Sequence, residues 1–126
     1  METADMKQAV ERYIHAHSNK DLEGVVALFA EHAQVWDPAD AAPHVGAEAV
    51  RAFFGGTHQM AERLTLTLTG PIRCCGNFAA FPMTAQAIIG DFRSEIDIID
   101  VMTFDSEGKI LEMRAYWSAE DMRVLQ

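Results

Sequence analysis

Apolar positions recur at helical spacing in the first half of this chain and at strand spacing in the second. Met6, Ala9, Val10, Tyr13, Ile14 and His17 fall at i, i+3, i+4, i+7, i+8 and i+11. That stripe predicts an amphipathic helix of about 14 residues with Tyr13 in the middle of its buried face. Ser18-Asn19-Lys20 breaks it, and Asp21 is a suitable N-cap for a second helix carrying Leu22, Val25, Val26 and Phe29. Ala33-Gln34-Val35-Trp36-Asp37-Pro38 reads as a short strand ended by proline. A third helix is expected to turn Val50, Phe53 and Phe54 inward and to stop at Gly55-Gly56.

The second half alternates. Leu64, Leu66 and Leu68 interleave with Thr65, Thr67 and Thr69, the clearest period of two in the chain. After a turn at Gly70-Pro71, Phe78 to Ile89 reads as a long strand in which Pro82 predicts a bulge or an edge. Gly90-Asp91 turns into a strand from Phe92 to Phe104, and Asp105 to Gly108 turns into one from Lys109 to Trp117. On that last strand Leu111, Met113, Ala115 and Trp117 are expected on one face, with Ile110 and Tyr116 among the residues of the other. The element order α-α-β-α-β-β-β-β predicts an α+β fold. A curved, mostly antiparallel sheet would wrap over the helices and enclose a conical, largely apolar pocket.

Composition narrows the partners. At 126 residues the chain is expected to form one domain spanning 1–126. Its net charge of −9 disfavours nucleic acid, anionic membrane surfaces and highly anionic substrates. No apolar run approaches the roughly 18 residues of a membrane span, so no membrane role is expected. The acidic start Met1-Glu2-Thr3-Ala4-Asp5 has no apolar leader. Cys74 and Cys75 are adjacent and have no other cysteine to pair with, which points to a reducing cytoplasm.

The candidate chemistry sits in three places. Ile96-Asp97-Ile98-Ile99-Asp100-Val101-Met102 reads as a strand buried on both faces, yet it carries two aspartates. A carboxylate in such surroundings loses its hydration, so its pKa rises and it becomes a neutral hydrogen-bond donor. Asp100 shares a face with Ile96, Ile98 and Met102, and Asp97 shares one with Ile99 and Val101, so alternation does not choose between them. A structural role for one or both, pairing with a basic group or capping a bulge, is the competing reading. Asp37, between Trp36 and Pro38 at a strand end, is placed to be a partly desolvated general base, or simply to start a turn. Tyr13, if buried, needs a partner for its hydroxyl, and on its own it reads as a structural core tyrosine or as a donor. Together a tyrosine and a neutral acid can donate to one oxygen while a second aspartate moves a proton, a set suited to enolising a ketone. The five histidines show no metal-ligand spacing, and no nucleophile motif or phosphate loop is present. His17 is expected to line the pocket or pack.

These segments resemble the Δ5-3-ketosteroid isomerases of the nuclear-transport-factor-2-like superfamily, in register over nearly the whole chain. Arg12-Tyr13-Ile14 resembles the segment bearing that family's oxyanion-hole tyrosine, and Val35-Trp36-Asp37-Pro38 the segment bearing its base. Asp97-Ile98-Ile99-Asp100-Val101-Met102, continuing to Ala115-Tyr116-Trp117-Ser118, is the most specific stretch, and its register puts Asp100 in the place of the protonated aspartic acid. The resemblance implies a cone-shaped fold and a cofactor-free, metal-free isomerisation of a 3-oxo-Δ5-steroid through a dienolate. Trp117, Met113, Met83, Ile98 and Phe54 would contact the steroid rings, and Trp36, a sixth residue expected at the substrate site, would make the surroundings of Asp37 more apolar. It also implies a homodimer. Phe29 and Phe54 stand where some members have further tyrosines, leaving Tyr13 a shorter hydrogen-bond network. A polyketide cyclase, a non-steroid ketone isomerase or dehydratase, and a non-catalytic binding module are the competing readings, since fold alone does not decide function.

Overall fold

In the computed structural model, which describes residues 1–125, three helices pack on one face of a mixed sheet. Helix α1 (Thr3–Ser18) buries Met6, Ala9, Val10, Tyr13 and His17, as the stripe requires. Helix α2 (Leu22–Val26) is a single turn whose N-cap Asp21 accepts from the Gly24 amide at 3.0 Å. Phe29 therefore does not extend α2; it opens strand β1 (Phe29–Trp36), where its ring is buried.

Helix α3 (Ala47–Met60) runs through Gly55 and Gly56 instead of stopping there. Glycine in a helix interior costs roughly 1 kcal/mol relative to alanine, which tertiary packing readily offsets. Here Val50, Phe54 and His58 share the buried face, and Leu22 of α2 comes within 3.4 Å of the point where a Gly55 Cβ would lie.

The remaining strands are β2 (His44–Val45), β3 (Arg63–Leu68), β4 (Arg73–Cys75), β5 (Phe78–Ile89), β6 (Phe92–Phe104), β7 (Ile110–Tyr116) and β8 (Met122–Leu125). Their order is β2-β1-β7-β6-β5-β3, with β4 also on β5 and β8 also on β6. Only the β1–β7 pair is parallel among those of the described residues. Gly90, at φ +61°, supplies the conformation that a two-residue hairpin needs at its first position.

Pro82 neither bulges β5 nor sits on a free edge. It pairs with Ile99 in unbroken register, while on the other side β3 ends opposite Met83 and β4 ends opposite Ala80. The missing proline N–H thus falls in the gap between two neighbours, and only its carbonyl is used, by Thr69 at 3.1 Å.

The parity expected for β7 fails at its start. The register slips where Phe104 pairs with Ile110, leaving Leu111 as an extra residue. Ile110 is consequently fully buried and Leu111 is exposed, whereas Met113 and Ala115 face inward as expected.

Candidate active site

The concave side of the sheet and helices α1 and α3 enclose a cavity of about 450 Å³. Its wall is apolar almost throughout, with Phe54, Leu66, Met83 and Ile98 among the lining side chains. This size and character suit a small apolar ligand held by a few polar groups.

Two of the candidate polar groups, Tyr13 and Asp37, line it, and the third, Asp100, is fully buried and is not part of the lining. Tyr13, on the inward face of α1, is 3% exposed, and its ring sits among His17, Phe54 and Phe29 at centroid distances of 4.5, 6.2 and 6.3 Å. Burial pushes its phenol pKa up, and the nearby carboxyls of Asp100 and Asp37 push it further. The hydroxyl thus stays protonated and able to donate.

Asp100 lies in the middle of β6, paired to Phe81 on one side and Ala115 on the other. Its side chain is 1% exposed, and neither carboxyl oxygen has a hydrogen-bond partner within the protein. Loss of hydration raises its pKa well above the usual range, and Asp37 adds to the rise. Asp97, three residues earlier, points to the opposite face. It binds Arg123 at 2.8 Å and accepts from Thr84 at 2.9 Å, and those bonds lower its pKa.

Asp37 follows the last residue of β1 and faces the cavity. Its Oδ1 accepts a 2.6 Å hydrogen bond from the Trp117 indole N–H. Burial raises its pKa, while the Trp117 bond and the charge of His44 lower it. Just beyond it, the Ala39 amide donates to the Ala115 carbonyl at 2.7 Å, tying this segment to β7 beside Trp117.

Four of the six side chains expected around the ligand line the cavity: Trp117, Met83, Ile98 and Phe54. The other two lie elsewhere. Met113 lies four residues before Trp117 on the inward face of β7, packed in the core opposite Met102. Trp36 points to the outer face, because strand alternation turns Val35 inward, and the Arg114 guanidinium stacks 3.9 Å above its ring. The indole beside Asp37 is therefore that of Trp117.

Sequence reasoning missed a buried histidine pair. His17 Nδ1 lies 2.9 Å from His58 Nε2, joining α1 to α3 along the cavity wall. Burial, with a contribution from His58, holds His17 neutral by lowering its pKa to about 3. Phe54 and His58, four apart on α3, were the available signal. No group of three or more His, Cys, Asp or Glu side chains among the described residues could hold a metal ion.

The wall thus carries a buried tyrosine and a partly buried carboxyl, with a second, fully desolvated carboxyl within electrostatic reach of both. Known proteins share the framework. A family model described as the SnoaL-like domain matches residues 10–113. The Steroid Delta-isomerase of Nocardioides simplex is 34% identical over 122 residues, covering 97% of each chain. The solved structure of the epoxide hydrolase/cyclase-like enzyme SalBIII, described for its role in pyran ring formation in the polyether salinomycin, superposes with a TM-score of 0.89 at 26% identity, again covering 97% of each chain. With matches of this extent, the chain belongs to the SnoaL-like family of nuclear-transport-factor-2-like domains.

Proposed function

We propose that this protein is a steroid Δ-isomerase, moving the double bond of a 3-oxo-Δ5-steroid into conjugation. The observation that carries the reading is Asp100: a fully buried carboxyl with no partner of its own, in the electrostatic reach of Tyr13 and Asp37. Asp37 takes the proton at C4. Tyr13 and the neutral Asp100 donate to the C3 oxygen as it becomes a dienolate, and Asp37 returns the proton at C6. The two donors act where charge develops, in a site with little water to compete. No metal or organic cofactor enters these steps.

Such a proton transfer needs Asp37 ionised at rest. Its hydrogen bond from Trp117 favours that state against the burial that opposes it. Conversion of 5-androstene-3,17-dione to the conjugated enone, followed by ultraviolet absorbance, tests the reaction directly. Absence of turnover by the folded protein would sink it.

A second reading has one specific support. The SalBIII likeness places an epoxide hydrolase/cyclase-like enzyme on the same fold, and an acid facing a base could equally open an epoxide or close a ring. Product analysis with an epoxy-alcohol substrate separates the two.

The protein is further proposed to be a cytoplasmic homodimer, packed through the outer sheet face. Ile99 and Tyr116 are cross-strand partners there, each about half exposed, with Val101 and Pro82 beside them. An apolar surface of this kind is characteristic of an isologous interface. Light scattering at micromolar concentration should give twice the 14.0 kDa chain mass; a monomer mass would refute the dimer and leave the isomerase reading standing.

A further inference from the structure

The cavity does not end at a polar rim. Its mouth is framed by Met60 at the end of α3, Ile89 and Phe92 on either side of the β5–β6 turn, and Met122 at the start of β8. All four line the cavity and all are exposed, at 64%, 38%, 49% and 43%. Four large apolar side chains from three separate segments thus form one exposed apolar collar. Exposed apolar patches continuous with a pocket mark ligand-binding surface.

Two features say what the collar receives. Polar partners are scarce along this part of the wall. Thr57 has its hydroxyl committed to the Phe53 carbonyl at 3.2 Å, which leaves Ser94. An oxygen at the outer end of a ligand would find little to bond. Two of the four collar residues are methionines, unbranched and adaptable, which suits a flexible chain better than a rigid ring. The net charge of −9 opposes an anionic lipid surface as the occupant.

The orientation follows from the buried end. A 3-ketone must reach Tyr13 and Asp100, which are 3% and 1% exposed. C3 and C17 lie at opposite ends of the rigid steroid skeleton, so C17 is directed toward the mouth. The geometry points to a substrate class: 3-oxo-Δ5-steroids carrying an aliphatic side chain at C17, with that chain lying across Met60, Ile89, Phe92 and Met122. This inference rests on the isomerase reading for its orientation.

The test compares 5-cholesten-3-one with 5-androsten-3-one, which differ in the C17 chain, in the same mixed solvent. Burial of several methylenes is expected to raise kcat/KM for the long-chain ketone by about tenfold or more. The double variant Phe92→Ala/Met122→Ala should reduce that ratio at least about fivefold. Phe78→Ala, exposed on a strand outside the cavity, should leave the ratio unchanged. A wild-type ratio near one, or a ratio that the double variant does not move, overturns the proposal, and either is the outcome if the collar serves a membrane or another protein. Binding of the two conjugated product ketones, read by tryptophan fluorescence, gives the same comparison without turnover. A protein that converts neither substrate but still binds the long-chain ketone more tightly, through Phe92 and Met122, keeps the subsite and loses the isomerase reading.

Discussion

Strand β6 carries two aspartates three residues apart, and they live in different worlds. Asp97 faces outward, exposed, with an arginine and a threonine to hold its charge. Asp100 faces inward among Phe81, Met102 and Ala115, with nothing to bond. The same side chain is an ordinary anion on one face and a stranded acid on the other. Packing, not residue type, produces the difference: the outer face keeps water, and the inner face is sealed by α1 and α3. A chemically unusual group thus arises from unremarkable material when a strand's alternation turns it toward a closed layer.

The contrast can be broken from several sides. On the proposed mechanism the largest effect belongs to neither β6 aspartate but to the base they would serve. Asp37→Asn should lower kcat by on the order of 10²–10⁴-fold with steroid binding retained, because an amide cannot accept the C4 proton. A near wild-type rate in the purified variant would remove Asp37 from the mechanism.

Next come the inner donors. Asp100→Asn and Tyr13→Phe should each lower kcat by on the order of 10²–10³-fold while KM changes little, since in the proposed mechanism both act on the charged intermediate. Asp97→Asn should leave kcat intact. If the outer aspartate proved as sensitive as the inner one, the division between faces would not describe the chemistry. Infrared difference spectra offer an independent check: the neutral carboxylic-acid band at pH 7 should vanish in Asp100→Asn and persist in Asp97→Asn.

A smaller effect is expected at Trp117. Trp117→Phe keeps an apolar ring but removes the N–H donated to Asp37. That bond favours the carboxylate, so its loss raises the Asp37 pKa. The acidic limb of kcat/KM should move to higher pH, with a rate loss near pH 8 smaller than that of either oxyanion donor. An unmoved limb would mean that the bond does not tune the base.

The smallest effects concern stability, and here the two aspartates should differ in sign. Asp100 holds its proton in the fold and releases it when unfolded. The unfolded chain therefore binds fewer protons than the native one from about the ordinary value of 3.8 up to the raised native pKa. Stability falls with rising pH across that window. Asp100→Asn should raise Tm at pH 7, with the gain fading as pH falls toward 4. Asp97, whose pKa is lowered, contributes in the opposite direction: its stabilisation is present above 3.8 and is lost as pH falls through the lower native value. Being exposed, it should change Tm little when replaced by Asn. Thermal melts of both variants across pH 4 to 8 would show whether the signs separate.

Much of this was legible in the chain because period-two and period-3.6 patterns are written by the same burial that shapes the fold. The α1 stripe placed Tyr13 inward, and the β5–β6 hairpin kept the boundaries that Gly90-Asp91 implied. Alternation could not rank Asp97 against Asp100, because both faces of β6 carry isoleucines; only resemblance favoured Asp100, and the difference in exposure emerges once the helices cover one face. Other features were hidden for identifiable reasons. Gly55-Gly56 gave a stop signal that packing of Phe54 and His58 overrode. The slip at Leu111 reversed the start of β7, since a bulge leaves no mark in a short alternating run. Trp36 was assigned the shielding of Asp37 from sequence adjacency, yet the indole that reaches Asp37 is 80 residues away in the chain. The His17–His58 contact spans 41 residues and two helices, a separation no local pattern encodes.

Arg123 has a consequence for traffic through the mouth. It belongs to β8, whose neighbouring residue Met122 is part of the collar, and it is clamped to Glu95 and Asp97 on the outer face of β6. The last short strand is therefore latched by ionic contacts on the side away from the ligand. Exposed ionic latches loosen as dissolved salt screens them. Added salt should thus quicken the exchange of a bound ligand with solvent while leaving Tyr13, Asp37 and Asp100 untouched.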